Sequence, residues 1–243
     1  MRFFILIQTI IVGLFCLFFQ SAYADSTPSF QELHVTPVLH RSIDSTSQII
    51  IGSGAISVFL TEPNDNSVRR DWVKNQKMNK TLSSSGDILG SGAGGLLVMG
   101  GQYLFDLDET NWISHARGLV WSTVVVTALK YSFGRPRPGG SESHLSFPSG
   151  HTTTAFTTAT TLTYAYGWKA AVVAYPLAAF VGLSRLADDA HWASDIVGGA
   201  FLGFWAARAT YYSATEASSS SATNQFYPLF QNDGLGVGWT YVY

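Results

Sequence analysis

The chain has 243 residues, which fits one domain, or one domain with an N-terminal extension, and leaves little room for a second enzymatic unit. Its formal net charge of −2 provides no basic surplus, which argues against a nucleic-acid-binding protein. Charged residues make up 12% of the chain, against roughly a quarter in ordinary soluble domains, so the composition indicates an unusually apolar protein.

Residues 1–24 have the pattern of a secretory signal peptide. Arg2 is followed by an apolar run from Phe3 to Phe19, and Ala22-Tyr23-Ala24 is a small-x-small cleavage site. The single cysteine, Cys16, lies inside this segment, so cleavage would leave no disulfide. The run is also just long enough for an uncleaved first membrane span. The cleavage site favours removal, and both interpretations predict export to the cell envelope.

Residues 25–86 are predicted to be a polar lead-in with one short apolar segment. That segment, Ile49 to Leu60, is too short to span a bilayer and is predicted to be a buried helix or strand. The basic stretch that follows is interpreted as a solvated region with a short helix near Arg70 to Lys77. Contact with lipid headgroups is the alternative.

Residues 87–213 are predicted to form a helical core. Asp87 to Phe105 carries no charge between its ends, spaces Gly90 and Gly94 for close helix packing, and suits one membrane span. Three further apolar segments follow: Arg117 to Lys130, Thr152 to Arg185 with a break near Gly167, and Ile196 to Ala207. The predicted fold is all-α, a bundle of about five to six hydrophobic helices.

The bundle is either a soluble core with few charges or a membrane domain. If the first segment is retained and Ile49 to Leu60 does not cross, six spans result and Lys130 lies on the external face. Arg117, Lys169 and Arg208 then lie at inner ends, as the positive-inside bias expects. This arrangement requires an uncleaved signal, whereas the small-x-small site favours cleavage.

Residues 214–243 are predicted to be a linker and a short β-hairpin-like tail. Ser218 to Ser221 is of low complexity. Phe226 to Phe230 and Val237 to Tyr243 flank Asn232-Asp233-Gly234, which is a strong hairpin-turn signal. The tail carries no pattern that indicates chemistry.

Three short motifs within 66 residues carry the chemical information. They read K-x6-R-P from Lys130, P-S-G-H from Pro148, and S-R-x5-H-x3-D from Ser184. Arginine side chains can each direct two donors at a phosphate, and backbone N–H groups at a helix start can add more. A histidine and an aspartate four residues apart share a helix face, so the carboxylate can orient the ring for nucleophilic attack. Such a site needs no metal.

All eleven specified positions are filled, and they resemble the signature of the type 2 phosphatidic acid phosphatase and vanadium haloperoxidase superfamily over the second half of the chain. The resemblance implies that His191 is the nucleophile, Asp195 orients it, and His151 is the general acid. It also implies a set of phosphate-binding residues, namely Lys130, Arg137, Ser149, Gly150 and Arg185. Water would then hydrolyse the phosphohistidine.

Neighbouring charged residues receive simpler interpretations. Arg135, between the two cations of the first motif, is interpreted as a helix-end side chain that reaches toward solvent. Asp188 and Asp189 lie in the loop before His191 and are interpreted as solvated, with a role at the site entrance as the alternative.

The resemblance implies a metal-independent phosphatase without a cofactor. Its expected substrates are phosphate monoesters or pyrophosphates of lipids, because the helices carry so little charge. A periplasmic acid phosphatase acting on soluble phosphomonoesters is the alternative, and a vanadate-dependent haloperoxidase is disfavoured by the short chain. We expect a protein of the inner membrane with its site facing the periplasm, or a periplasmic one.

Overall fold

The computed structural model describes residues 35–220, 224–231 and 234–241, with side chains described for 35–216. The predicted signal peptide and the first residues of the lead-in lie outside the described residues. The helices are α1 (Thr36–Ile43), α2 (Ser45–Thr61), α3 (Asp65–Lys74), α4 (Lys80–Gly90), α5 (Ala93–Phe105), α6 (Glu109–Phe133), α7 (Gly150–Tyr166), α8 (Trp168–Ala187) and α9 (Ala193–Ser220). A 3₁₀ turn, Glu62–Asn64, joins α2 to α3. The all-α prediction is confirmed, with more helices than expected.

Polar caps and glycines set several helix ends. The side chain of Asn79 accepts a hydrogen bond from the Leu82 N–H at 2.9 Å and begins α4. Asp108 does the same for α6 through the Thr110 N–H. Gly134, at φ +54°, ends α6 in the left-handed region. These local signals explain why α6 ends next to the first motif.

One predicted helix break is confirmed, and a second break falls inside the segment that was predicted to suit a membrane span. Gly167, at φ +75°, separates α7 from α8 as expected. The segment Asp87 to Phe105 is instead divided between α4 and α5, which are bent by 52°. Gly92 causes the break, because its φ of +97° is readily adopted only by glycine. Helix α4 also crosses the predicted boundary between residues 86 and 87.

Helix α9 is central to the bundle and contacts α1, α2, α6 and α7. Ala206 and Ala207 are fully buried on it. A Cβ atom on Gly203 would lie 2.5 Å from the carbonyl oxygen of Thr153 and 2.8 Å from Cβ of Phe156. The missing side chain therefore lets α7 and α9 pack almost backbone to backbone.

Threonines fill much of the buried surface of α7. Thr153, Thr157 and Thr161 each donate a hydroxyl hydrogen bond to the carbonyl four residues earlier, at 2.9 to 3.0 Å. Because these bonds stay within the helix, the hydroxyls are satisfied without water. The polar composition of α7 is therefore compatible with its central position.

The prediction of a buried segment at Ile49 to Leu60 is wrong about burial. The segment forms the helix α2, but Ile49 is 68% exposed and Phe59 is 78% exposed. Helix α2 packs against α9 through Gly54, where an added Cβ would lie 2.8 Å from Cβ of Phe201. Its other faces consequently point outward.

Exposed apolar side chains continue around the bundle. They include Leu97 on α5 and Trp168 and Val172 on α8. Within the described residues, α8 alone has the length and composition of a membrane span. The number rises to three if α1 with residues 45–74, and α4 with α5, are each counted as one broken span.

The tail begins later than predicted. Helix α9 continues through Ser220, so the low-complexity stretch Ser218 to Ser221 is helical over its first three residues. Two antiparallel strands follow, β1 (Asn224–Gln231) and β2 (Gly234–Tyr241), in a register that pairs Gln231 with Gly234. The predicted β-hairpin is confirmed.

Candidate active site

All three motifs lie together at one end of the bundle. Lys130 is near the end of α6, and its Nζ donates to the Leu145 carbonyl oxygen at 2.7 Å, which ties α6 to the loop before α7. The Ser149 N–H donates to the Asp195 carbonyl oxygen at 3.0 Å and joins the second motif to the third. The sequence-predicted residues therefore form one cluster.

His191 and Asp195 are adjacent and buried. The distance from His191 Nδ1 to Asp195 Oδ2 is 3.6 Å, slightly longer than a hydrogen bond, and Nδ1 has no hydrogen-bond partner among the described residues. His191 precedes the first residue of α9, whereas Asp195 lies in its first turn. With Nδ1 facing the carboxylate, Nε2 is the ring nitrogen left for nucleophilic attack.

The surroundings of His191 keep its ring neutral. Burial, together with the positive charges of Lys130 and Arg137, lowers the pKa of His191 to about 3, although Asp195 acts in the opposite direction. A neutral imidazole retains the lone pair that a nucleophile requires. The cations predicted to hold a phosphate therefore also favour the neutral form of the predicted nucleophile, His191.

Asp195 is held by a complete set of donors. Its Oδ2 accepts from the Ser146 hydroxyl at 2.5 Å and from the Trp192 N–H at 2.9 Å. Its Oδ1 accepts from Arg135 Nη1 at 2.6 Å. These bonds compensate for burying the carboxylate and fix its orientation toward His191.

Two residues that the motifs do not specify support this arrangement. Arg135 does not reach toward solvent as interpreted from the sequence, because its Nη2 donates to Asp65 Oδ2 at 2.7 Å while Nη1 holds Asp195. Asp65 also accepts from the Ser194 N–H at 2.9 Å. Asp65 begins α3, in the polar lead-in, and nothing in its sequence context indicated a link to the site.

A second histidine–carboxylate pair lies on the other side of the cluster. His151 is in the first turn of α7, and its Nε2 is 3.1 Å from Oδ1 of Asp87 on α4. Arg185 Nη1 donates to the same oxygen. The sequence had identified Asp87 only as the first residue of an apolar segment, so its contact with two motif residues is a finding of the structure.

Arg185 is held on its other edge by Asp188. Arg185 Nη2 donates to Asp188 Oδ2 at 2.8 Å and to the Ser83 carbonyl oxygen at 3.1 Å. Asp188 also accepts from Lys80 Nζ at 2.8 Å, and its side chain is 13% exposed. The interpretation of Asp188 as a solvated residue is therefore wrong, and the same holds for Asp189, which accepts two hydrogen bonds from Arg69.

The remaining candidate residues leave donors available to an anion. Arg137 is partly buried, and its Nε has no hydrogen-bond partner among the described residues. Gly150 begins α7 without a side-chain cap, so no N-cap side chain occupies the first-turn amides of that helix. The Ser149 N–H already donates to the Asp195 carbonyl oxygen, so the donor that Ser149 can offer an anion is its hydroxyl group. The arrangement suits a tetrahedral oxyanion.

Sequence comparison identifies the same region. Residues 112–218 match the PAP2 superfamily. Lipid A 1-phosphatase from Porphyromonas gingivalis is 42% identical over 103 residues, which is 41% of this chain and 23% of that protein. The chain therefore spans less than a quarter of this curated relative.

Two solved structures share the fold. Aquifex aeolicus LpxE aligns with a TM-score of 0.52 and 22% identity, over 64% of this chain and 94% of that one. A transmembrane PAP2 type phosphatidylglycerolphosphate phosphatase from Bacillus subtilis aligns with a TM-score of 0.53 and 18% identity, over 77% of this chain and 96% of that one. The match of residues 112–218 to the PAP2 superfamily confirms the resemblance that the motifs predicted.

Proposed function

We propose that the protein is a metal-independent phosphatase that removes a phosphate group from a lipid through a phosphohistidine intermediate. The observation that carries the proposal is the buried, neutral His191, oriented by Asp195 and flanked by Lys130 and Arg137. The match of residues 112–218 to the PAP2 superfamily supports the same reaction.

In the first step Nε2 of His191 attacks phosphorus. A P–N bond forms, the P–O bond to the leaving group breaks, and the electron pair goes to the departing oxygen. His151 donates a proton to that oxygen. Lys130, Arg137, Arg185, the Ser149 hydroxyl and the Gly150 N–H neutralise the charge on the phosphoryl oxygens.

In the second step water attacks phosphorus and the P–N bond breaks. His151 takes a proton from the attacking water, and His191 recovers its neutral form. Inorganic phosphate then leaves. Each histidine ends in the protonation state in which it began, so the cycle needs no other reactant.

Two observations support a lipid substrate. Large apolar side chains are exposed on α2, α5 and α8, which suits contact with a bilayer. The curated relative is a phosphatase whose name specifies a lipid, lipid A. We further propose that the protein is exported and lies in the inner membrane with its site toward the periplasm, in agreement with the signal-like residues 1–24.

Replacing the nucleophile tests the reaction. Detergent-purified protein should release phosphate from a lipid phosphate, and His191→Ala should lower the rate by at least about a thousandfold, because no phosphohistidine can form. Brief incubation with a substrate labelled with ³²P, followed by denaturation at alkaline pH, should trap acid-labile label on the wild-type protein alone.

A comparison of substrates tests the substrate class. A lipid phosphate and a soluble aryl phosphate should be assayed in the same detergent, and we expect a clear preference for the lipid. A preference for the soluble ester would favour the periplasmic acid phosphatase instead. Activity that survives in His191→Ala would overturn the mechanism.

A further inference from the structure

Asp87 makes contacts that the three motifs do not explain. One of its carboxylate oxygens, Oδ1, lies 3.1 Å from His151 Nε2 and accepts a hydrogen bond from Arg185 Nη1. His151 and Arg185 come from different helices, α7 and α8, and Asp87 comes from a third, α4. The carboxylate therefore connects the proposed general acid to a proposed phosphate ligand.

The packing of α4 brings this short side chain into reach. A Cβ on Gly90 would lie 2.5 Å from Val181 Cγ1 and 2.8 Å from His151 Cβ. Gly86, four residues earlier on the same face, packs directly against Ser184. Because neither glycine has a side chain, α4 approaches α7 and α8 closely enough for an aspartate to reach both partners.

The charges around His151 explain why a carboxylate matters there. Arg185 and Arg137 face the imidazole from α8 and from the loop before α7, and Asp87 faces it from α4. Burial and the two cations lower the pKa of His151, whereas Asp87 raises it. Without Asp87, burial and both arginines would favour the neutral ring of His151, which has no proton to donate to a leaving group.

We propose that Asp87 is a positioning residue for the general acid, which holds the protonated imidazole of His151 in place and at the same time aligns the guanidinium of Arg185. This inference rests on the proposed phosphatase function. Two carboxylates then serve two histidines, with Asp195 orienting the nucleophile and Asp87 orienting the acid. Asp87 keeps its charge while His151 passes its proton to the leaving oxygen and regains one from water.

Dependence on the leaving group separates this role from simple phosphate binding. An alkoxide leaves slowly unless it is protonated, whereas 4-nitrophenolate leaves readily without a proton. Asp87→Asn should therefore lower kcat/KM for an alkyl or lipid phosphate by about 10- to 100-fold. The loss for 4-nitrophenyl phosphate should be markedly smaller, and the alkaline limb of the pH profile for the alkyl substrate should move to lower pH.

Asp188→Asn is the matched control. Asp188 bonds the same Arg185 guanidinium, at 2.8 Å, and its described hydrogen bonds do not include His151. Loosening Arg185 alone should lower kcat/KM for both substrates to the same extent. The ratio of the two kcat/KM values should therefore stay at its wild-type value. Asp71→Asn, an exposed change on α3, should leave both activities unchanged.

The outcomes are distinct. If Asp87→Asn lowers kcat/KM equally for both substrates, as we expect of Asp188→Asn, Asp87 acts only through Arg185 and the proposal is wrong. Unchanged activity would also overturn it. If the variant folds poorly, Asp87→Glu should retain the charge and the wild-type ratio of activities, and a shifted ratio there would contradict the proposal. A wild-type protein without activity, or an active His191→Ala variant, would instead refute the proposed function.

Discussion

At the scale of single residues, the long contact between His191 and Asp195 is informative. Asp195 Oδ2 already accepts two hydrogen bonds, and His191 Nδ1 lies 3.6 Å from it. The interaction between the imidazole and the carboxylate can therefore become stronger during the reaction. In the proposed mechanism the imidazole gains positive charge when its nitrogen attacks phosphorus. The attraction to Asp195 then increases, which stabilises the transition state more than the ground state.

The two histidines predict an acidic pH optimum. His191 must be neutral, and its pKa of about 3 makes activity rise as the pH increases through that range. His151 must be protonated, and its pKa lies below the usual 6.5, so activity falls again as the pH passes that lower value. The profile of kcat/KM for an alkyl phosphate, corrected for ionisation of the substrate, should therefore peak below pH 6.5. A maximum above pH 6.5 would contradict this assignment.

The sequence predicted the motif residues but not the residues that support them. Regular spacing and chemical type identified His191, Asp195 and His151. Asp87 and Asp65 lie 43 or more residues before Lys130 in segments without a matching pattern, so only packing in three dimensions brings them to the site. Arg135 was visible beside the first motif, but its partners were not.

At the scale of helices, the contact between α7 and α9 determines the geometry of the site. Helix α7 begins beside His151 and α9 begins next to Asp195, and the bond from the Ser149 N–H to the Asp195 carbonyl joins the two ends. Gly199 and Gly203 face α7 along this contact. A change in the distance between the two helices would therefore move His151 relative to His191.

Gly203→Ala tests this dependence. The new Cβ would lie 2.5 Å from the Thr153 carbonyl oxygen, and backbone atoms cannot move aside as a side chain can. We expect a loss of about 1–3 kcal/mol in the free energy of unfolding, together with reduced kcat. Thermal unfolding in detergent and phosphate release measure both.

Gly52→Ala provides the control for that substitution. Gly52 lies within α2, and a Cβ added there would have no neighbouring atom within 4 Å. The same chemical change should leave activity intact and stabilise the helix by about 0.5–1 kcal/mol. Equal destabilisation by both variants would show that the α7–α9 contact is not specially tight.

Helix boundaries were predictable where the backbone signal was unambiguous. The break at Gly167 was expected because apolar segments continue on both sides of it. The break between α4 and α5 was missed, because the glycines of that segment fit close helix packing as well as a turn. The conformation of Gly92 decides between the two and cannot be read from its neighbours in sequence.

At the scale of the whole molecule, apolar surface faces outward. Phe105 is 86% exposed and Leu107 fully so, in addition to the exposed side chains of α2 and α8. Hydropathy predicted helices in these segments but not their outward faces, because a helix that is apolar on all sides gives no direction. Such a surface suits contact with a bilayer, in agreement with the proposed membrane location.

Fractionation checks the expected environment. The protein should remain with membranes after washing at high salt and at alkaline pH, and detergent should be needed to extract it, because the exposed apolar surface is not held by charge. Release into the aqueous fraction by either wash would contradict integration into the bilayer. It would favour the soluble alternative.

The break between α4 and α5 brings a residue from outside the family match to the proposed site. The PAP2 match begins at residue 112 and includes all eleven signature positions, yet Asp87 and Asp65 precede it. Because the chain turns at Gly92, α4 leaves the line of α5 and packs against α7 and α8, where Asp87 reaches the cluster. A fragment cut at the start of the family match would keep every signature residue and still lose both of these carboxylates. The proposed catalytic unit is therefore larger than the region that the family match covers.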